Sequence, residues 1–126
     1  MVDGDDVVSI ARSYSQAFNA RDWDRLQDIL DPDIVDESIK ARVVRHGSHN
    51  VAASLRAAAE ARPDAVIEVV NAVSGGDQAV LELRMVATDP ESGKKGVLPT
   101  CHIYRVREGR IDRLTTYSDG TWRVED

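Results

Sequence analysis

The ordering of periodicities constrains this chain most. Helical spacing fills its first half, and strand-length runs joined by short turns fill its second. Residues 5–19 set Val7, Ile10, Ala11, Tyr14, Ala17 and Phe18 at the i, i+3, i+4, i+7 spacing of an amphipathic helix. Asp5 or Asp6 is placed to cap it and oppose its dipole. A second, short helix from Asp22 carries Trp23, Leu26, Ile29 and Leu30 on one face. It stops at Pro32, because a residue before proline is pushed out of helical geometry. Ile34-Val35 and Val43-Val44 read as short extended pieces. A third helix follows, capped by Ser48, with a stripe of Val51, Ala52, Leu55, Ala58 and Ala59 that ends at Arg62-Pro63.

Four strands come next, over residues 65–73, 79–88, 97–106 and 111–119. Their connections are Ser74-Gly75-Gly76-Asp77, Asp89-Pro90-Glu91-Ser92-Gly93 and Arg107-Glu108-Gly109-Arg110. Such short turns predict an antiparallel meander. Helices first and antiparallel strands after give an α+β domain with the N-terminal helices packed on one face of a curved sheet. A concave sheet covered by helices leaves a pocket, and a pocket is the first place to look for ligand binding.

The 126 residues suffice for one domain, residues 1–126, with its own core and no staples. No apolar run is long enough to span a bilayer, which argues against a membrane partner. The acidic opening Met1-Val2-Asp3-Gly4-Asp5-Asp6 is unlike a signal peptide, so a cytoplasmic location is expected. The net charge is −6, and the sixteen basic residues are dispersed. Phosphate backbones are bound by concentrated basic patches, so nucleic acid is not an expected partner.

The final hairpin delivers a carboxylate, Asp119, to its end, where it could act as general acid or base. The alternative is a turn residue paired with Gly120. His102 shares a strand face with Tyr104 and Val106, either as a proton shuttle or as a satisfied core histidine. His46 and His49 flank Gly47 and read as surface residues. Three scattered histidines and the single Cys101 give no metal-ligand spacing, and no phosphate loop, dinucleotide fingerprint or nucleophile elbow is present. The expectation is chemistry without metal or cofactor, with Cys101 as a structural thiol.

Residues 14–24, Gly47 and residues 102–119 resemble the SnoaL-like and ketosteroid-isomerase-like branch of the nuclear-transport-factor-2-like superfamily. That likeness covers nearly the whole chain and implies a cone-shaped α+β barrel. It also implies a homodimer through the open sheet face, which the apolar character of both faces of strands 79–88 and 97–106 allows. Its relatives include steroid isomerases, polyketide ring cyclases, epoxide hydrolases, dehydratases and plain binding modules, since one fold carries many functions.

By this resemblance Tyr14 falls at the isomerases' oxyanion-stabilising tyrosine. An ungapped reading puts Ser38 at their base, with Asp36 and Glu37 just before it, and Cys101 at their second oxyanion donor. Asp119 falls at the ring cyclases' acid/base carboxylate. Arg84 falls at the hydrolases' arginine, with Val86 where their second carboxylate would stand. Strand alternation gives Arg84 a plain outer-face salt bridge as its other reading.

These residues point to a small-molecule enzyme doing cofactor-free acid/base chemistry (cyclisation, isomerisation or dehydration) on an apolar carbonyl compound. Asp119 would be the acid/base, with Tyr14, His102 and Arg84 orienting the substrate or stabilising an oxyanion. Phe18, Leu30, Tyr104 and Tyr117 would contact the substrate. The competing expectation is a non-catalytic ligand-binding or dimerisation module of the same fold.

Overall fold

The structure, a computed structural model, describes residues 4–124. Its elements are α1 (Gly4–Ala20), α2 (Trp23–Ile29), β1 (Leu30–Ser38), β2 (Val43–His46), α3 (Ser48–Ala61), β3 (Val66–Gly75), β4 (Gln78–Thr88), β5 (Lys95–Arg107), β6 (Arg110–Tyr117) and β7 (Arg123–Val124). This is the expected α+β arrangement of three helices against one curved sheet. Among the described residues no helix is long and apolar enough to cross a membrane.

Two expectations about the sheet are corrected. It is mixed rather than antiparallel, because β1 lies parallel to β6 with Asp36 opposite Leu114 and Ser38 opposite Thr116. A parallel pair needs a long crossover, and the chain from β2 through β5 supplies it. The sheet is also unclosed. Its order is β2-β1-β6-β5-β4-β3, with β7 paired to the start of β5, so β2 and β3 remain as edges and the barrel is open.

Cap details differ too. Helix α1 already begins at Gly4, so Asp5 and Asp6 fall in its first turn. Position 3, where its cap would sit, lies outside the described residues. Helix α2 stops at Ile29, three residues before Pro32. Pro32 instead occupies the irregular stretch of β1 between Leu30 and Val35, where a missing N–H costs no ladder bond. Gly47, at φ 91°, takes the α3 cap position without a side-chain bond, and Ser48 is the first helical residue.

The corner between α1 and α2 is held by polar groups that reach β3. Asp22 caps α2 by accepting from the Arg25 N–H at 3.1 Å. Arg21, at φ 57°, donates to the carbonyls of Phe18, Pro63 and Ala65 at 2.7–3.0 Å. Asn19 imitates a strand partner: its Nδ2 donates to the Ile67 carbonyl at 2.9 Å, and its Oδ1 accepts from the Ile67 N–H at 2.8 Å. The apolar stripe of α1, Val7, Ala11, Tyr14, Ala17 and Phe18, then packs into one core with Leu26, Leu81, Tyr104, Ile111 and Leu114.

Candidate functional site

Strand parity decides which side chains enter the concave side. On β1, Ile34 is fully buried, so Asp36 and Ser38 point inward with it, while Glu37 points outward and meets Arg113 at 3.2 Å. On β5 the inward set is Leu98, Thr100, His102, Tyr104 and Val106; on β6 it is Leu114 and Thr116, and Ser118, just past the end of β6, also lines the cavity. Between this surface and the helices lies a cavity of about 280 Å³, just below the lower end of the roughly 300–1,000 Å³ usual for small-molecule pockets. Leu55, Ile67, Met85 and Leu98 give it apolar walls, and Tyr14, Asp36 and His102 are its buried polar groups.

Among the described residues, Asp36 is the only carboxylate lining this cavity. Burial raises its pKa above the ordinary carboxylate value, and the nearby Arg45 guanidinium partly offsets that. Burial likewise pushes the Tyr14 phenol well above its usual value, with the Asp36 charge adding to the effect. Burial holds His102 down at about 4, so its ring is neutral at pH 7. The rings of Tyr14, His102 and Tyr104 meet edge to face, with centroids 5.5–5.7 Å apart. His102 Nδ1 lies 2.7 Å from the Tyr104 hydroxyl.

The register sets the spacing across the cavity. His102 faces Thr116, which faces Ser38; Asp36 lies one inward position further along β1. Asp36 and His102 are therefore two strands and two residues apart, roughly 12 Å between Cα atoms. A molecule in the cavity meets the Asp36 carboxylate from β1, the His102 imidazole from β5 and the Tyr14 phenol from α1.

Of the eight site residues expected from the sequence, the structure brings Tyr14 and His102 into this cavity. Asp119 lies outside it. Residues 114, 116 and 118 point in, so 117 and 119 point out, and β6 has already ended at Tyr117. The Asp119 carboxylate accepts from the Thr121 N–H at 2.9 Å and from Arg123 Nη2 at 2.7 Å. Those bonds hold its pKa below the usual carboxylate value. Arg84 is on the outer face, 3.8 Å from Glu68 across the β3–β4 pair. Tyr117 is exposed, and with Arg84, Cys101 and Asp119 it lines a separate outer cleft.

The other expected contacts are core residues. Phe18 is fully buried against Trp23. Leu30 is buried at the start of β1, away from the cavity, and Tyr104 is sealed behind His102. Ser38 does line the cavity, as the ungapped reading implied, but the carboxylate comes from Asp36 on the same strand face. Alternation counted from Ile34 would have found it in the sequence.

Comparison with known proteins agrees with this architecture. IdmH from Streptomyces antibioticus, a proposed polyketide cyclase, superposes with a TM-score of 0.82 at 21% identity, covering 90% of this chain and 91% of that one. A proposed ketosteroid isomerase from Kribbella flavida gives a TM-score of 0.80 at 18% identity, over 100% and 87% of the two chains. An epoxide hydrolase of the LEH-like type from M. tuberculosis gives 0.76 at 18%, over 92% and 84%. At such identities the likeness is one of fold. A search of functionally curated proteins finds no match. The sequence itself matches the SnoaL-like domain over residues 11–114, most of its length, and the chain belongs to that family.

Proposed function

We propose that this protein catalyses cofactor-free proton transfer beside the carbonyl group of a small, largely apolar molecule. The observation that carries this is Asp36, a buried carboxylate of raised pKa facing the same cavity as two uncharged hydrogen-bond donors. Ionised Asp36 takes a proton from the carbon next to the carbonyl. The C–H electron pair moves into the C–C bond, and the carbonyl π pair moves to oxygen. The resulting enolate oxygen is met by Tyr14, with His102 beside it. Donors aimed at developing charge in a water-poor site count for more than they would in bulk water.

Where the substrate carries a C=C bond β,γ to the carbonyl, neutral Asp36 then returns its proton to the γ-carbon of the dienolate and the double bond shifts into conjugation, which isomerises the substrate. Alternatively the enolate carbon attacks a second carbonyl of the same molecule: the new C–C bond closes a ring, that carbonyl's π pair moves to its oxygen, and neutral Asp36 returns its proton to the resulting alkoxide. Leu55, Ile67, Met85 and Leu98 would hold the hydrocarbon body. The modest volume suits a compact substrate, or the reacting end of a longer one.

The test is hydrogen–deuterium exchange in D₂O across a panel of cyclic ketones and β-diketones. Exchange next to the carbonyl is expected with the wild type and falls about 10²–10⁴-fold in Asp36→Asn. Ligand binding without any exchange would overturn the catalytic reading and favour a non-catalytic binding module.

We also propose that two copies pair through the outer sheet face. Val66, Val70, Val73 and Tyr117 leave exposed apolar surface there. Light scattering coupled to size exclusion is expected to give twice the chain mass at micromolar concentration. A mass of one chain would contradict pairing.

A further inference from the structure

We infer that Tyr104 positions His102: its hydroxyl donates to Nδ1, fixes the imidazole as the Nε2–H tautomer, and so presents an uncharged N–H to the cavity. A neutral imidazole has one donor and one acceptor nitrogen, and neighbours decide which is which. Tyr104 is fully buried, and its hydroxyl makes one hydrogen bond among the described residues, the 2.7 Å contact to Nδ1.

There are two ways to fill that contact. If Nδ1–H donated to the phenol oxygen, the phenol's own proton would be sealed in the core without an acceptor, which buried polar groups avoid. If the phenol donates instead, both groups are satisfied and the imidazole proton sits on Nε2. A phenolate–imidazolium pair is excluded by burial, which raises the Tyr104 pKa and lowers that of His102.

Nε2 has no protein partner among the described residues, yet no buried side-chain nitrogen or oxygen there is left unsatisfied. Nε2 is therefore open to the cavity that His102 lines. Tyr14 stands beside it with no hydrogen bond to another described residue. Both line the same cavity, as two donors available to an oxygen held there. His102 is then a donor and not a proton shuttle, since its Nδ1 lone pair is taken and its ring stays neutral near pH 7. The tautomer stands on geometry alone; its use toward a carbonyl oxygen rests on the function proposed above.

The experiment is long-range ¹H–¹⁵N correlation of the imidazoles in labelled protein at pH 7, with His102→Gln to assign the signals. Wild type is expected to show a protonated Nε2 and an unprotonated Nδ1, the latter shifted upfield by the bond it accepts. Tyr104→Phe fills the same volume without the hydroxyl, and its Nδ1 is expected to move downfield. A protonated Nδ1 in wild type would overturn the inference, as would an Nδ1 signal indifferent to Tyr104→Phe. Should Tyr104→Phe fail to fold, the wild-type spectrum alone decides. An Nε2–H spectrum without ketone exchange would leave the tautomer standing and remove the Asp36 chemistry; exchange with a protonated Nδ1 would do the reverse.

Discussion

The guanidinium of Arg45 stands 3.8 Å from the carboxylate of Asp36, directly across the β1–β2 pair. That is too long for a hydrogen bond but near enough for its charge to be felt. The carboxylate makes no hydrogen bond to Arg45, and the cation's charge offsets part of the rise that burial causes in its pKa.

Arg45 therefore tunes the base. Its charge lowers the Asp36 pKa that burial raises, so Arg45→Ala lets that pKa climb further. A general base works only when ionised, and its rate falls as pH drops through its pKa. The acid limb of the exchange pH profile is expected to move to higher pH in Arg45→Ala. An unmoved limb would mean that Arg45 does not act on the working carboxylate.

His102 makes the fold acid-sensitive. Its pKa falls from 6.5 when unfolded to about 4 when folded. Between these values the unfolded chain binds the extra proton, so stability is lost as pH falls from 6.5 towards 4 and the loss is complete below that. The shift corresponds to about 3 kcal/mol. Asp36 acts in the opposite sense: its raised folded pKa means stability is gained as pH falls through it. Comparing urea unfolding of wild type and His102→Gln across pH 7 to 4 isolates the histidine, and the wild-type curve is expected to fall more steeply.

Asn19 ties the end of α1 to β3 through both atoms of its amide. Asn19→Ala leaves the N–H and carbonyl of buried Ile67 without those partners, at a cost of about 1–3 kcal/mol in unfolding free energy. Denaturant titration would read this as a lower midpoint. A change near zero would mean that water or a shifted backbone replaces the amide.

The helices were legible because their stripes are regular: the α1 positions read from spacing are the ones that pack into the core, or, for Ile10, against it. The four hairpin-joined strands, β3 to β6, were legible from their three turns. Glu108 and Gly109, both at positive φ, make the tight β5–β6 connection that the Glu-Gly pair announces.

The parallel β1–β6 pair was not legible, because nothing local to residues 30–38 names a partner more than seventy residues away. Which carboxylate enters the cavity was hard to read for a different reason. Asp119 stands out by its place at a hairpin end, although parity from Leu114 turns it outward. Asp36 escapes an ungapped reading that ends at Ser38, one inward position beyond it. In both strands a fully buried apolar residue, Leu114 or Ile34, fixes the parity. Alternation therefore outweighed position along the chain.

The most direct test of the account is a carbon-detected NMR titration of the side-chain carboxyls, with Asp36→Asn and Asp119→Asn to assign them. Asp36 is expected to titrate above the ordinary value of 3.8 and Asp119 below it. Asp119→Asn is expected to leave the Asp36 titration in place. An Asp36 carboxyl titrating at or below 3.8, or an Asp119 carboxyl raised above it, would contradict the placing of the working carboxylate inside the cavity.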